Sequence, residues 1–367
     1  MKRLAIALVM VALLAGSSLT ACAPAGGEDG GSDTGAGDET VYKWRCQQIH
    51  AAGSLYYEKG VEMFQRIEEA SGGRLVITNN PPGALVPAAQ ELEAVESGAI
   101  DVMASPGSIY TGQLGIVSNF WTGYPAGPGP SEMMMWYFEG GGRELYNEML
   151  ENASFTVHHA GIWILTSAEL FAWANKPIDS LDDFEGLKFR SGGMWGNVLG
   201  TLGASVVTLP GGELYQSLER GVIDAFEYTT PGNDYTMGFY EIADYVVGPG
   251  IHSPTSMCEL TINRDSWEEL PDDLKALLTE GIDASLFQNW AEADRADVEG
   301  WEKIKETGIT VITLPQEVQD EIVKVSDEFL AGEAAKDPFF AKVWESQKSY
   351  LEAYRAMKAA VQPNIGM

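Results

Sequence analysis

Residues 178–228 read IDSLDDFEGLKFRSGGMWGNVLGTLGASVVTLPGGELYQSLERGVIDAFEY, and this stretch decides the fold of the protein. Short β-like runs, such as residues 186–189, alternate in it with helical runs, such as residues 212–219, and glycines separate them. Alternating strand and helix patterns of this kind are typical of α/β proteins.

The end of this stretch repeats a pattern found earlier in the chain. Residues 219–224, ERGVID, lead into the strand-like AFEY, and residues 96–101, ESGAID, lead into the strand-like VMAS. Each copy follows a helical run, so each predicts a helix, a glycine at its C-terminal end and a buried strand. Two similar units indicate two lobes, although six residues are too few to prove a duplication.

The pattern on either side extends the α/β prediction. Residues 41–49 and 74–78 resemble strands, and an amphipathic helix is predicted over residues 54–70 between them. Long helical patterns follow the quoted stretch, over residues 272–307, 316–332 and 339–360.

The N-terminus has the features of an export signal. Two basic residues precede an apolar run over residues 4–15, which is too short to span a membrane comfortably, and LTAC ending at Cys22 matches the bacterial lipobox. This predicts a signal peptide over residues 1–21 and a lipid anchor on Cys22, followed by a flexible tether over residues 22–40. A signal peptide in which Cys22 is incidental is the alternative.

The composition limits the partners and the compartment. The 367 residues include 53 acidic and 23 basic side chains, so the formal charge is -30 at pH 7. This acidity argues against a nucleic-acid partner, and residues 41–367 are long enough for two domains. Besides Cys22 there are Cys46 and Cys258, for which a disulfide and two buried free thiols are equally open.

The quoted stretch resembles the DctP-type solute receptors of TRAP (tripartite ATP-independent periplasmic) transporters. It is similar to the family pattern D-L-x-G-x-K-x-R, then L-G-A, then E-x-Y-x-A-L-x-x-G-x-I-D-A. The resemblance implies a two-lobed periplasmic-binding-protein-like fold with hinge strands, a helix at residues 272–307 that bridges the lobes, and a membrane permease as partner. It assigns residues 41–165 mainly to lobe I, 166–254 mainly to lobe II, and 255–367 to both lobes.

Arg190 follows a β-like segment and precedes Ser-Gly-Gly, a loop that permits close approach of a ligand. Its guanidinium can donate two parallel hydrogen bonds to a carboxylate, an interaction worth about 1.5–3 kcal/mol. From the residues alone, a surface ion pair with Asp182, Asp183 or Glu185 is the simpler interpretation. The resemblance implies a carboxylate site instead, because the carboxylate-binding arginine of the family falls on Arg190.

Residues 227–234, EYTTPGND, resemble the branch of this family that binds 2-oxo and 2-hydroxy acids through a cation. The resemblance implies Glu169, Glu227 and the Tyr228 carbonyl as ligands of calcium or sodium, ions that prefer oxygen donors. Relatives have a neutral amide at the position of Glu169, so two carboxylates here favour calcium. Ser253 stands where the branch has a further acidic residue, and a site without an ion therefore remains open.

Further candidates for ligand binding lie near predicted loop ends. For Tyr110 and Trp195, a position in the pocket and a position in the core are equally open. Phe226 is expected to pack inside its strand. The other candidates are Tyr228, Asn233 and His252. Additional aromatic residues suggest a ligand larger than pyruvate or lactate, with an aromatic or branched side chain; they are Trp121, Trp163, Phe171 and Trp173.

An enzyme and an exported structural lipoprotein are the competing classes. The four histidines form no metal-binding pair at helical spacing, and no nucleophile or phosphate-binding motif occurs. A dispersed active site remains open. A structural lipoprotein would not need Arg190 in a glycine-rich loop. We therefore predict a non-enzymatic extracytoplasmic receptor for a small organic monocarboxylate, with a carboxylate bound without metal as the alternative and homodimerisation left open.

Overall fold

The structure, a computed structural model, describes residues 40–363. The predicted signal peptide over residues 1–21, the lipidation site at Cys22 and nearly all of the predicted tether lie outside the described residues. Within the described part of the chain, no helix is both long enough and apolar enough to cross a membrane.

The strands of residues 40–363 form two sheets. The first has the order β2-β1-β3-β10-β4 and the second the order β11-β9-β5-β8-β6-β7. The strands are β1 (Tyr42–Gln48), β2 (Leu75–Asn80), β3 (Val102–Ala104), β4 (His158–Leu165), β5 (Ala172–Ala174), β6 (Lys188–Arg190), β7 (Ser205–Val207), β8 (Ala225–Phe226), β9 (Tyr245–Gly248), β10 (Met257–Ile262) and β11 (Thr310–Thr313).

Helices connect and cover these strands, which confirms the α/β prediction. They are α1 (Leu55–Ala70), α2 (Glu91–Glu96), α3 (Thr111–Leu114), α4 (Asn119–Thr122), α5 (Pro130–Glu139), α6 (Gly142–Asn152), α7 (Gly193–Thr201), α8 (Leu214–Glu219), α9 (Pro231–Thr236), α10 (Arg264–Glu269), α11 (Asp272–Glu306), α12 (Gln316–Ala334) and α13 (Pro338–Val361).

The first βαβ unit forms where the sequence pattern predicts it. Ser54 caps α1, and its side chain accepts a hydrogen bond from the backbone N–H of Tyr57 at 3.3 Å. Apolar residues at helical spacing, including Met63 and Ile67, bury one face of α1. The chain then returns as β2, which pairs with β1 in parallel.

Five strands of each sheet have the same spatial order, and β11 is an additional edge strand of the second sheet, so the short sequence repeat extends to the arrangement of the strands. In the first sheet β2, β1 and β3 run parallel, and β10 and then β4 continue the sheet antiparallel. In the second sheet β7, β6 and β8 take the same positions, followed by antiparallel β5 and β9. The repeated Gly98 and Gly221 both have positive φ angles, as glycines that end helices commonly do.

Helix α11 contacts the core of both sheets. Leu274, Leu278 and Ile282 pack with apolar residues of the first sheet. Ile304, about six turns further along the helix, packs with Trp173 and other residues of the second sheet. The prediction of a long bridging helix is therefore confirmed, with the observed helix ending at Glu306.

The structure decides between the two states that the sequence left open for the cysteines. Cys46 and Cys258 are both free and buried. They lie on β1 and β10, which are separated by β3, so two strand spacings of about 4.8 Å lie between them. That separation exceeds the Cα distance of about 4.4–6.8 Å that a disulfide needs, and the disulfide alternative is therefore wrong.

The aromatic residues that suggested a large ligand belong to the core. The four side chains are fully buried within packed apolar clusters. Their size is explained by packing inside the protein. The inference from Trp121, Trp163, Phe171 and Trp173 to a large ligand is therefore corrected, whereas Phe226 packs inside its strand as expected.

Candidate functional site

Arg190 ends β6, and its guanidinium reaches the end of the adjacent strand β8. Nε donates to the Leu209 carbonyl at 3.0 Å, and Nη1 donates to the backbone carbonyl and the carboxylate of Glu227 at 3.0 and 3.2 Å. Nη2 makes no hydrogen bond to any residue of the described chain. The structure thus pairs Arg190 with Glu227 rather than with Asp182, Asp183 or Glu185.

Two carboxyl groups lie close to this guanidinium. The side chains of Glu169 and Glu227 are each 14% exposed. Burial raises the pKa of Glu169 to about 8, against the opposing effects of a hydrogen bond from Ser253 and the charge of Arg190. Burial also raises the pKa of Glu227, Arg190 opposes that rise, and the charge of Glu169 adds to it. Full ionisation of both carboxyl groups therefore requires positive charge in addition to that of Arg190.

His252 joins Glu169 to the neighbouring aromatic residues. Its Nε2 lies 3.2 Å from the Glu169 carboxyl, and its ring lies 5.6 Å from the Trp195 ring and 5.5 Å from the Phe171 ring. Burial lowers the pKa of His252 to about 4, so the imidazole is neutral at pH 7. Its Nδ1 is buried and has no hydrogen-bond partner within residues 40–363.

Trp195 lies in the first turn of α7, directly after the loop that follows Arg190. The residue is 5% exposed, and its ring packs edge-on against Phe171 and Phe189. The indole Nε1 is buried without a partner among the described residues. Trp195 is therefore a core residue that also borders His252, and its position in the ligand pocket stays a prediction.

Tyr228 and Asn233 follow Glu227 along the chain. The Tyr228 ring packs edge-on against Phe239, and burial raises the pKa of its hydroxyl to about 12. Asn233 is buried in α9, where its Nδ2 donates to the Thr229 hydroxyl at 2.8 Å. The Oδ1 of Asn233 has no partner within the described part of the chain.

The predicted candidate Tyr110 lies in a different environment. It is fully buried, and its hydroxyl donates to the Glu91 carboxylate at 2.9 Å and lies 3.4 Å from the Ala88 carbonyl. Its ring belongs to an apolar cluster built on the first sheet. The structure does not connect Tyr110 with the contacts that join Arg190, Glu227, Glu169, His252 and Trp195, and it favours the core interpretation.

Comparison with known proteins identifies the family. The sequence model for the bacterial extracellular solute-binding protein family 7, DctP, matches residues 47–337. The chain belongs to this family. The resemblance of residues 178–228 to DctP-type receptors is thereby confirmed.

A curated relative and two solved structures resemble this DctP-family chain along most of its length. The monocarboxylate 2-oxoacid-binding periplasmic protein of Nostoc sp. is 30% identical over 287 residues, which cover 78% of each protein. A TRAP periplasmic solute-binding protein of Pseudoalteromonas atlantica, with bound sodium and pyruvate, is 29% identical with a TM-score of 0.81 and covers 88% of this chain and 97% of that one.

The second solved structure is a TRAP transporter solute-binding protein from Bordetella bronchiseptica. It is a dimer with calcium and picolinate in one active site, and it is 26% identical with a TM-score of 0.81 over 88% of this chain and 95% of that one. These similarities confirm the predicted fold class and establish this chain as a TRAP solute-binding protein.

The residues of this DctP-family protein fit a cation only if the organic ligand completes the donor set. Within the described residues, no group of three or more His, Cys, Asp or Glu side chains is arranged to hold a metal ion. Glu169 and Glu227 nevertheless supply two carboxyl groups, and hard oxygen donors suit calcium or sodium. At Ser253, where the family resemblance implied an acidic residue, the side chain is a buried neutral hydroxyl.

One buried amide beside α7 was not predicted from the sequence. Asn119, in α4, accepts a hydrogen bond at Oδ1 from the backbone N–H of Met194 at 3.0 Å. The two residues are 75 positions apart, and no local pattern around Asn119 marks a contact with α7. Only the packing of elements from the two sheets brings them together.

Proposed function

We propose that this TRAP solute-binding protein binds a small organic monocarboxylate of the 2-oxo or 2-hydroxy class, with Arg190 as the group that binds the carboxylate. The observation that carries the proposal is the guanidinium of Arg190, which is 20% exposed and has Nη2 free of hydrogen bonds within the described chain, beside two buried carboxyl groups. The name of the Nostoc relative supports this ligand class.

The contacts of Arg190 hold its guanidinium ready for an anion. The Leu209 and Glu227 carbonyls fix Nε and Nη1, so the direction of Nη2 is set before the ligand arrives. A donor that is already oriented loses less conformational entropy when it binds. An incoming carboxylate accepts from Nη2 and takes over part of the interaction that Nη1 makes with the Glu227 carboxylate.

We propose a cation as the compensating charge at Glu169 and Glu227. Calcium or sodium would be held by these two carboxylates together with the Tyr228 carbonyl, and it would supply positive charge to the carboxylate and the neighbouring oxygen of the acid. Two carboxylates favour calcium over sodium, because the attraction grows with the charge of the ion. Solved relatives contain calcium with picolinate and sodium with pyruvate, which supports either ion.

The roles of the other site residues follow from their positions. Trp195 and His252 present unpaired buried nitrogens, and Asn233 presents an unpaired oxygen. We propose that these groups and Tyr228 border the rest of the ligand. The picolinate of the Bordetella relative is an aromatic acid, which supports testing aromatic as well as branched side chains.

The proposed role in transport extends beyond the described residues. Cys22 would anchor the mature protein to a membrane through a lipid, and the tether over residues 22–40 would give the receptor reach. Closure around the ligand would shift the protein to the form that docks on the permease, as expected when a ligand binds one conformation better than another. No chemical conversion of the ligand is part of this proposal.

A thermal-shift screen of residues 40–367 tests the ligand class. We expect a 2-oxo or 2-hydroxy acid to raise the melting temperature because it binds the native state, and a calcium chelator to remove the effect. Glu169→Gln should weaken the calcium dependence, whereas Glu213→Gln, at an exposed position, should not. A carboxylate effect that ignores chelator would retain Arg190 and remove the ion, and stabilisation by sugars alone would overturn the proposal.

A further inference from the structure

The site lies between the two sheets, and the side formed by the first sheet has no ligand-binding residue assigned so far. Arg190, Trp195 and Glu227 all belong to elements of the second sheet or to their connections. Tyr110 was the candidate from the first part of the chain, and its hydroxyl is engaged by Glu91. A ligand enclosed between two walls needs polar partners on both of them, because buried polar atoms without partners are costly.

Asn119 lies on the side of the first sheet and touches the loop after Arg190. It is 5% exposed, and it lies between Ser118 and Phe120, which are buried with it beside the first sheet. Its Oδ1 accepts from Met194 N–H, at the start of α7. The N-cap residue of α7, Gly192, has no side chain to cap the helix, so Asn119 supplies this cap from outside the helix.

The approach at this contact is close. A Cβ atom on Gly193 would lie 2.3 Å from Asn119 Oδ1, so glycine is required for the amide to reach the helix end. The hydrogen bond from Met194 N–H also fixes the orientation of the Asn119 side-chain amide. Met194 N–H is a donor and must meet the oxygen, which leaves Nδ2 with both of its hydrogens to bind something else.

Nδ2 of Asn119 is buried and has no hydrogen-bond partner in the described chain. The same is true of Trp195 Nε1, which lies one residue beyond Met194. Buried amide donors in native proteins nearly always find an acceptor, in the protein, in water or in a ligand. The unpaired donors near residues 190–195 suit the oxygen atoms of an organic acid.

We infer that Asn119 is a ligand-binding residue, donating a hydrogen bond from Nδ2 to an oxygen of the bound acid while Oδ1 caps α7. This inference rests on the proposed function, since it needs a carboxylate ligand at Arg190. The Asn119 side chain thereby connects the ligand to α7, because its Oδ1 accepts from Met194 N–H while its Nδ2 donates to the acid. Ligand binding then stabilises the same contact that positions α7 and the loop after Arg190.

Two substitutions separate the ligand bond from the helix cap. Asn119→Asp keeps an oxygen for Met194 N–H, at a helix N-terminus where a negative charge is favourable, but it removes the donor. We expect the melting temperature without ligand to stay near that of the wild type, and affinity for the best 2-oxo acid of the screen to fall at least tenfold. Asn119→Ala should lower both quantities.

An NMR measurement distinguishes a direct hydrogen bond from charge repulsion in the aspartate variant. The side-chain amide signals of Asn119, assigned by their absence in Asn119→Asp, should shift and exchange more slowly when the 2-oxo acid is added to wild-type protein. Unchanged Asn119 signals at saturation, or wild-type affinity in Asn119→Asp, would overturn the inference and leave the proposed function intact. A wild-type protein that binds no monocarboxylate would overturn both.

Discussion

At the scale of single residues, the site is governed by the burial of charge. Arg190 is paired with Glu227, Glu169 is paired with a neutral histidine, and burial pushes both carboxyl groups toward their protonated forms. A cation near both carboxyl groups would favour their ionised forms, and Arg190 would then be available to a bound anion.

The first prediction concerns the shape of the Arg190 side chain. Arg190→Lys keeps the positive charge but loses the planar pair of donors, so we expect monocarboxylate binding to weaken by about 1.5–3 kcal/mol, or roughly ten- to a hundredfold. Isothermal titration calorimetry measures the change. Arg220→Lys, at an exposed position, is the control and should bind normally. Equal affinities in both variants would remove Arg190 from the site.

Glu259 supports a second prediction, about stability and pH. It is fully buried on β10, its Oε2 accepts from Gly107 N–H at 3.1 Å, and burial raises its pKa to about 8. Between its ordinary pKa of 4.5 and 8, the folded protein keeps a proton that the unfolded chain releases. The contribution of Glu259 to stability therefore falls as pH rises through this window, by up to about 1.4 kcal/mol per pH unit.

Glu259→Gln should remove this dependence while keeping an oxygen for Gly107. Urea unfolding at pH 5, 6.5 and 8 compares the variant with the wild type. We expect the free energy of unfolding of Glu259→Gln, relative to that of the wild type, to rise with pH, since only the wild type has a buried carboxyl group that must ionise. Parallel stability profiles would show that Glu259 does not titrate in this range.

At the scale of elements, the long helix α11 is attached to the second sheet through a backbone contact with α9. A Cβ atom on Gly300 would lie 2.6 Å from the Gly232 Cα and 2.8 Å from the Pro231 carbonyl oxygen. Asp297, one turn earlier, accepts from Gly232 N–H at 2.8 Å. The helix pair is therefore positioned by two glycines and one carboxylate, with no space for a side chain at the crossing.

Gly300→Ala tests this helix crossing. The added methyl group should separate α11 from α9 and destabilise the protein by about 1–3 kcal/mol. Gly332→Ala is the matched control, because this glycine also lies inside a helix, α12, and has nothing within 4 Å of the added Cβ. The control should stabilise the protein by about 0.5–1 kcal/mol through helix propensity. Similar melting temperatures for the two variants would contradict the close packing.

At the scale of the whole molecule, α11 connects two sheets that share the spatial order of five strands. Residues of α11 pack into the cores of both sheets, and the Tyr56 hydroxyl of α1 lies 3.0 Å from the Thr230 hydroxyl beside α9. Together with the contact between Asn119 and Met194, these bonds join parts of the chain that belong to different sheets. Ligand binding between the sheets is expected to strengthen such contacts.

Closure is measurable in solution. We expect small-angle X-ray scattering to show a smaller radius of gyration for residues 40–367 with saturating 2-oxo acid than without it, because a ligand bound by both walls favours the closed form. Arg190→Lys should need a higher ligand concentration for the same decrease. An unchanged radius of gyration with bound ligand would indicate a receptor that is already closed.

Patterns of neighbouring residues were enough to predict the fold class and about half of its strands and helices. Periodicity of apolar residues predicted α1, α11, α12 and α13 nearly to their observed ends, because a helix face that must be buried leaves a local pattern. The motif around Arg190 identified the family for the same reason, since its residues are close together in the chain. Composition alone likewise showed an acidic protein, which argues against a nucleic-acid partner.

The partners of these residues depend on tertiary packing, which no local pattern reveals. It paired Arg190 with Glu227, placed Tyr110 against Glu91, kept Cys46 and Cys258 apart on either side of β3, and brought Asn119 to α7. Each of these contacts joins residues that are distant in the chain, apart from Tyr110 and Glu91. Such contacts depend on how sheets and helices pack, and a pattern of neighbouring residues carries little information about that packing.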